Sequence, residues 1–132
     1  MPRKILDTSV LIREWNLRRS KVKGVVTTDL AERWGTKLKL FYDPAFLVSP
    51  VPIEFLAGAH TSDELALFRS FLSPFRSLDE GKIPPDDWEQ ARRFAERIPK
   101  DGKPRQLGDC IIAAIALRLH CDVVSFDKGF PG

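Results

Sequence analysis

Four acidic residues stand at positions from which they could act together on a metal ion or a phosphate group. Asp7 directly follows a short apolar run near the start of the chain, and Asp127 follows another near its end. Glu54 lies near the first turn of an expected helix, and Asp109 opens another. If the apolar runs are parallel strands, all four acids lie at the carboxyl edge of one sheet, where open α/β folds bind their ligands.

Such a group of carboxylates predicts a bound divalent cation. Carboxylates are costly to bury and repel one another at short distance, and a cation relieves both effects. Oxygen ligands favour Mg²⁺ or Mn²⁺, and we expect one or two ions. The two histidines and two cysteines lack the spacing of zinc ligands, which argues against a zinc site.

Each acid, taken singly, also has a structural interpretation. Asp7 could be a turn or N-cap residue, and Asp127 could belong to an ordinary turn before Lys128. Glu54 and Asp109 could be charges near helix N-termini, each contributing ~0.5–1 kcal/mol. Both interpretations stay open for each residue, and only the joint placement of the four acids favours a site.

Strands and helices are expected to alternate along the chain. The expected strands cover residues 4–6, 45–49, 75–78 and 122–126. Ser49 is the expected N-cap of a helix that starts at Pro50, and further helices are expected over 65–72, from about 84 to 98 and over 107–119. The stretch 16–44 gives no clear pattern. This alternation predicts an α/β sandwich in which a short parallel sheet is flanked by helices, built as one domain over residues 1–132.

Composition indicates a soluble, intracellular protein. The chain has 43% hydrophobic and 30% charged residues with a net charge of +3. No run reaches the eighteen or so apolar residues that span a bilayer. No leader pattern opens the chain, and both cysteines lie in or beside an apolar run, so we expect the cytoplasm and no membrane partner.

Basic residues concentrate between positions 13 and 39, where eight Lys or Arg stand against three acids, a net charge of +5. Such a segment suits a phosphate backbone, and a solvated surface is the alternative. Trp15 and Trp34 lie within it and are expected to pack in a dimer or partner groove, or to stack on bases. The residues predicted to contact RNA are Arg13, Arg18, Arg19, Lys21 and Lys23.

Four blocks of this sequence resemble the signature blocks of PIN domains, in the same order and at appropriate separations. They read ILDTSVLI, IEFLAG, LGDCIIAAIAL and VVSFDKGF. The similarity is greatest to the VapC-type toxin ribonucleases of toxin–antitoxin pairs. By position, Asp7, Glu54, Asp109 and Asp127 match the acids with which that family holds metal. Ser125, and similarly Thr8 and Ser9, match positions that help to organise the site.

The resemblance implies a PIN-like three-layer sandwich and metal-dependent cleavage of RNA that leaves 5′-phosphate and 3′-hydroxyl ends. It also implies a homodimer and a cognate antitoxin that blocks the enzyme. PIN domains commonly continue into another short strand beyond the position of Gly132, so a missing strand and a truncated sequence both stay open. Two alternatives remain: a catalytically inactive PIN-like module that binds RNA or protein, and a DNA or flap nuclease.

Overall fold

Strands and helices alternate along the chain in the computed structural model, which describes residues 2–97, 102–127 and 129–131. Within these residues the elements are β1 (Lys4–Leu6), α1 (Thr8–Ser20), α2 (Thr28–Phe41), β2 (Ala45–Phe46), α3 (Pro50–Ala57), α4 (Ser62–Leu72), α5 (Pro85–Ala95), α6 (Leu107–Arg118) and β3 (Asp122–Val124). The expected end of the α5 helix at Ile98 lies outside the described residues.

The three strands form one parallel sheet in the order β2-β1-β3, with Lys4 opposite both Ala45 and Asp122. The chain leaves the central strand β1 for β2 on one side and later reaches β3 on the other. Since such crossovers are almost always right-handed, their helices fall on opposite faces of the sheet. The predicted α/β class with a short parallel sheet flanked by helices is confirmed, and the carboxyl ends of β1 and β3 frame a crevice.

The predicted strand over residues 75–78 is wrong as a strand. The chain makes one parallel bridge there, between Leu47 and Ser77. The Leu47 amide donates to the Arg76 carbonyl at 3.0 Å, and the Leu78 amide donates to the Leu47 carbonyl at 2.9 Å. The backbone then turns away, with Glu80 at a φ of 53°. A ladder therefore cannot extend beyond this single bridge.

Ser49 occupies the predicted N-cap position of α3 but makes no capping hydrogen bond. Its backbone is already helical, and its hydroxyl donates to Asp79. The Ser49 amide also donates to Asp79, at 3.0 Å. Asp79 is buried, and a buried carboxylate requires donors. This pairing ties the start of α3, the helix that carries Glu54, to the loop after the bridge.

The stretch that gave no clear pattern contains the end of α1 and all of α2. Thr27 caps α2 by accepting a hydrogen bond from the Leu30 amide at 3.1 Å. α2 packs closely along α4. A side chain at Gly35 would collide with the carbonyl oxygen of Phe71 on α4, so glycine permits this approach.

Trp15 and Trp34 lie in the core, so the prediction that they line a partner groove or stack on bases is wrong. They are 5% and 4% exposed. Their rings meet edge to face with centroids 5.2 Å apart, and Trp15 also contacts Phe68 and Phe71. Large aromatic rings contribute most when buried, and here they join α1, α2 and α4.

α6 is buried along most of its length, as its apolar sequence predicted, and it packs along α5. Between the two helices, the Arg118 Nε lies 2.9 Å from each carboxylate oxygen of the buried Asp87. A bilayer-spanning helix would need greater length and more apolar sequence than any helix in the described part of the chain has.

Candidate active site

The four acids predicted from the sequence lie around one cavity of about 740 Å³ at the carboxyl end of the sheet. Asp7 follows β1 and Asp127 lies three residues after β3. Glu54 is on α3 and Asp109 is in the first turn of α6. Residues that are far apart in the sequence therefore meet at the crevice between β1 and β3, where a ligand site was expected.

Asp7 is held in place by several donors. It is 2% exposed, and its Oδ1 accepts a hydrogen bond from the Thr8 amide at 2.7 Å. Its Oδ2 accepts from the hydroxyls of Ser9 at 3.0 Å and Ser125 at 2.8 Å. Asp7 also caps α1, so its structural interpretation and its place in the site hold together. The donors satisfy the oxygens of this buried carboxylate and fix its orientation.

Two of these hydroxyls also connect β3 to α1. The Ser125 hydroxyl accepts a hydrogen bond from the Asp127 amide at 3.0 Å, and the Ser9 hydroxyl accepts from the Phe126 amide at 3.1 Å. The segment carrying Asp127 is thereby fixed against Asp7. Ser125 is half-buried in this network and does not face solvent.

Glu54 is positioned by Thr8 and by the absence of a side chain at Gly108. The Thr8 hydroxyl donates to Glu54 Oε1 at 2.8 Å. A Cβ built on Gly108 would collide with the carboxylate of Glu54, so glycine leaves the space that the carboxylate occupies. Gly108 directly precedes Asp109, and sequence reasoning missed it because only the fold brings α3 against α6.

Asp109 and Asp127 form a close carboxyl pair. Burial, hydrogen bonding with Asp127 and the negative charges of Asp7, Asp127 and Glu54 raise the pKa of Asp109 to about 7. Hydrogen bonds from Asp109 and from the Gly129 amide lower the pKa of Asp127, and Lys103 acts in the same direction. A shared proton thus relieves the repulsion between the two carboxyl groups. The Gly129 bond, at 2.9 Å, also shows Asp127 in a turn.

The donor set suits a hard divalent cation. Four carboxyl groups share one cavity, where burial, together with the hydrogen bond to Asp127 and the charges of the other acids, raises the pKa of Asp109 to about 7. A cation would neutralise the same charge through oxygen ligands of the kind that Mg²⁺ and Mn²⁺ prefer. Among the described residues, however, no three acid, histidine or cysteine side chains form a group already able to hold a metal ion. The oxygen donors are therefore of the type that binds Mg²⁺ or Mn²⁺, but their spacing in this structure is not that of a formed metal-binding site.

The five basic residues predicted to contact RNA lie at different distances from the acids. Arg13 lies near them, with its guanidinium 4.3 Å from the ring centroid of Phe126, the residue before Asp127. Arg18 is further along α1 and pairs with Glu14 at 2.7 Å. Arg19 and Lys21 lie at the far end of α1, roughly 20 Å from Asp7 at about 1.5 Å per helical residue. Lys23 follows in the exposed connector.

Arg13 and Arg18 share a second cavity, of about 360 Å³, with Lys37 of α2 and with exposed aromatic rings. Lys37 was counted in the basic segment but was not predicted to contact RNA. The basic surface close to the acids therefore joins α1 and α2. The packing of the two helices determines which basic side chains lie together near the acids, and a count of charges along the sequence cannot identify them.

A comparison with models of protein families identifies the family of the chain. Residues 4–131 match a family model described as PIN domain. No curated protein matches the chain.

Proposed function

The chain belongs to the PIN-domain family, and from this premise we propose that it is a metal-dependent endoribonuclease that hydrolyses RNA phosphodiester bonds. PIN domains are in general nuclease domains. The observation that carries the proposal is the meeting of four carboxyl groups from four separate parts of the chain at one cavity, where burial and the other three acids raise the pKa of Asp109. Perturbed acids of this kind concentrate at catalytic sites.

In this proposal, Asp7 and Asp109 are the main ligands of one or two Mg²⁺ or Mn²⁺ ions. Glu54 binds metal directly or orients the attacking water, and Asp127 acts through water or on a second ion. An ion held by these residues would supply a water molecule of lowered pKa and positive charge beside the scissile phosphate. Thr8, Ser9 and Ser125 are site-organising residues in this proposal.

The hydroxyl groups of these three residues hold the carboxylates of Asp7 and Glu54 at fixed orientations through the hydrogen bonds described above. Arg13 holds the flanking RNA backbone beside the acids. Arg18, Arg19, Lys21 and Lys23 are proposed to extend that contact along the backbone.

A cleavage assay tests the activity. Fluorescent single-stranded RNA should be cut in the presence of Mn²⁺ or Mg²⁺, left intact with EDTA, and left nearly intact by the Asp7→Asn protein. Ser73→Ala is a suitable control, because the Ser73 hydroxyl bonds only to the nearby Ser70 carbonyl among the contacts described. DNA of the same sequence, offered in competition, separates an RNA nuclease from a DNA nuclease. Metal-independent cutting, or equal cutting by Asp7→Asn, would contradict the proposal.

The finer assignment, a VapC-type toxin, is also a proposal and rests on the four sequence blocks. It predicts a homodimer and a cognate antitoxin that silences the enzyme. Co-purification of the protein from its native operon should yield an inhibited complex with a small protein, and light scattering should report a dimer. A fully active protein recovered without a partner would remove the toxin assignment and leave the nuclease proposal in place.

An inactive PIN-like module that binds RNA or protein is the second candidate. The observation that favours it is the absence, among the described residues, of three side chains already spaced to hold a metal ion. This candidate predicts RNA or protein binding without cleavage at any Mn²⁺ concentration. Metal titration by calorimetry separates the two candidates, because an inactive module need not bind Mn²⁺ at the acids.

A further inference from the structure

The cavity that holds the acids has an apolar half whose purpose the metal site does not explain. Its side chains come from four helices and the loop before α5, and four of them, Ile12, Ile53, Trp88 and Leu107, are well exposed. An exposed apolar surface beside a polar site marks a binding surface. The apolar lining consists of Ile12, Ile53, Ile83, Trp88, Leu107 and Ile111.

Trp88 differs from the other two tryptophans of the chain. It is 49% exposed at the cavity, whereas Trp15 and Trp34 are buried. Tryptophan is large and apolar, so a half-exposed tryptophan gains less hydrophobic free energy on folding than a buried one. An indole also offers a flat π face, on which unpaired bases stack with little dependence on sequence.

We propose that Trp88 forms a stacking subsite for an unpaired RNA base adjacent to the scissile phosphate. This inference rests on the proposed function, because it takes the acids as the place where the phosphate lies. Trp88 and the four acids line the same cavity, so a phosphate at the acids would place the base of a neighbouring nucleotide on the side of Trp88. Paired bases within a duplex are not available for such stacking, so the substrate class is single-stranded RNA or an RNA loop.

The position of Trp88 is fixed by the residue before it. Asp87 is buried and bonded to Arg118 of α6, so the first turn of α5 cannot move independently of α6. α6 also carries Asp109. The stacking face and an acid of the site are therefore carried by one helix pair that is tied together by the Asp87 and Arg118 pair.

Gln106 supplies a polar group in the same cavity. It occupies the N-cap position of α6, but its side chain makes no capping hydrogen bond. Its amide can both donate to and accept from the edge of a base. We assign it the secondary role of contacting the base that stacks on Trp88.

The intrinsic fluorescence of Trp88 provides the test. A single-stranded hexaribonucleotide is titrated into Asp109→Asn protein with EDTA present. The substitution removes one negative charge that would repel the RNA, and EDTA prevents metal-dependent cleavage. Quenching of the exposed tryptophan is expected, and the emission of Trp15 and Trp34 should be unchanged because they are buried. An abasic oligonucleotide and a duplex of the same length should quench far less. Equal quenching by the abasic strand would overturn the proposal.

Substitution of Trp88 gives a second, independent measurement. Trp88→Ala should weaken binding of the hexaribonucleotide roughly 5- to 100-fold, and Trp88→Phe should retain most of the affinity. Leu117→Ala is the matched control, since Leu117 is a similarly exposed apolar residue of α6 that does not line this cavity. In the active background, Trp88→Ala should raise KM much more than it lowers kcat.

The outcomes distinguish the subsite from the nuclease activity. Metal-dependent cleavage with unchanged KM in Trp88→Ala would overturn the subsite and leave the nuclease proposal standing. Base-dependent quenching by a protein that does not cleave RNA would support the subsite and remove the nuclease. If Trp88→Ala abolishes capture of a protein partner and leaves RNA affinity unchanged, the apolar half is a protein-docking surface and the proposal is wrong.

Discussion

At the scale of single residues, the site depends on how each carboxylate is compensated. Asp7 receives three donors, and Glu54 accepts one hydroxyl hydrogen bond. Asp109 faces other acids and carries a raised pKa. The negative charge of Asp7 is thus well compensated by hydrogen-bond donors, whereas that of Asp109 on α6 is not. The charge of Asp109 is accordingly the one most sensitive to pH and to cations.

We predict that metal-free protein becomes more stable as the pH falls through about 7. An acid whose pKa is higher in the folded than in the unfolded state destabilises the fold at pH values above its folded pKa, and this cost is lost as the pH falls towards the unfolded value. For Asp109 the window over which stability rises runs from a folded pKa of about 7 down to the ordinary value of 3.8. Asp127, whose pKa is lowered, opposes the gain only below that window. Melting temperatures between pH 8 and pH 5, measured in EDTA, check the prediction.

Asp109→Asn should flatten this pH dependence, raise the metal-free melting temperature at pH 8, weaken Mn²⁺ binding and nearly abolish cleavage. Asparagine keeps the shape of the side chain and removes its charge. Asp63→Asn, in the exposed first turn of α4, is the control and should alter none of the four measurements appreciably. Wild-type cleavage by Asp109→Asn would remove Asp109 from the site.

Gly108→Ala should lower cleavage without unfolding the protein. The new methyl group would occupy the space of the Glu54 carboxylate, which lies at the end of a flexible side chain and can move away from Thr8. Alanine within a helix is favoured over glycine by about 0.5–1 kcal/mol, so stability should hold or increase. Cleavage rate and thermal unfolding are measured together.

Gly58→Ala is the matched control for this prediction. Its nearest neighbour would be the Phe55 carbonyl oxygen at 3.4 Å, and it lies outside the cavity of the acids. Full activity in Gly108→Ala with unchanged stability would show that the position of Glu54 does not matter for cleavage.

At the scale of elements, helix pairs set the positions of the site residues. α1 and α3 bring Thr8 to Glu54, and α5 and α6 bring Trp88 into the cavity of Asp109. The Asp87 and Arg118 pair lies inside the second of these helix contacts. Asp87 is 2% exposed and Arg118 has a side chain that is 37% exposed, so only the carboxylate is fully removed from water.

Arg118→Ala should destabilise the protein by about 3 kcal/mol, because it leaves the buried Asp87 carboxylate without its cation. The low end of the range for buried pairs applies since Arg118 is partly exposed. Arg92→Ala, which removes exposed pairs with Glu89 and Glu96, should cost within about 0.5 kcal/mol. Urea unfolding compares the two variants, and equal costs would mean that the buried pair does not hold α5 to α6.

At the scale of the whole molecule, the acids and the basic surface are distributed so that a polyanion can approach a negative site. The chain has a net charge of +3, and the segment 13–39 carries +5. Arg13 links the two regions, because it lines the basic cavity and contacts Phe126 beside Asp127. In the proposed function, the field of this surface would attract RNA to acids that by themselves would repel it.

Replacing both Arg13 and Lys37 with alanine should weaken RNA binding and flatten the slope of log K against log salt by roughly one unit per lost phosphate contact. Arg69→Ala on α4, which lines neither of the two cavities, should leave the slope unchanged. Replacing Arg18 and Arg19 should have a smaller effect than replacing Arg13 and Lys37, because Glu14 already pairs with Arg18. An unchanged slope in Arg13→Ala/Lys37→Ala would move the RNA-binding face elsewhere.

The sequence alone predicted the α/β class, the elements that carry the four acids and the buried α6. The spacing of apolar residues along the chain indicates these features, because that spacing depends on which face of each helix or strand is buried. The sequence also predicted that Asp7 and Asp127 lie near each other, since both follow strands of a parallel sheet. The blocks around the acids likewise indicated the PIN domain that the family match supports.

The tertiary structure alone decided which side chains meet. Trp15 and Trp34 belong to the core although they lie within a basic segment, because helix packing and not charge pattern selects the buried face. Ser49 bonds to Asp79 and does not cap its own helix, since a buried acid thirty residues away required a donor. Gly108 and Trp88 acquire their places beside Glu54 and the cavity only when α3, α5 and α6 pack together. Contacts between distant elements depend on their relative orientation, and local periodicity carries no information about it.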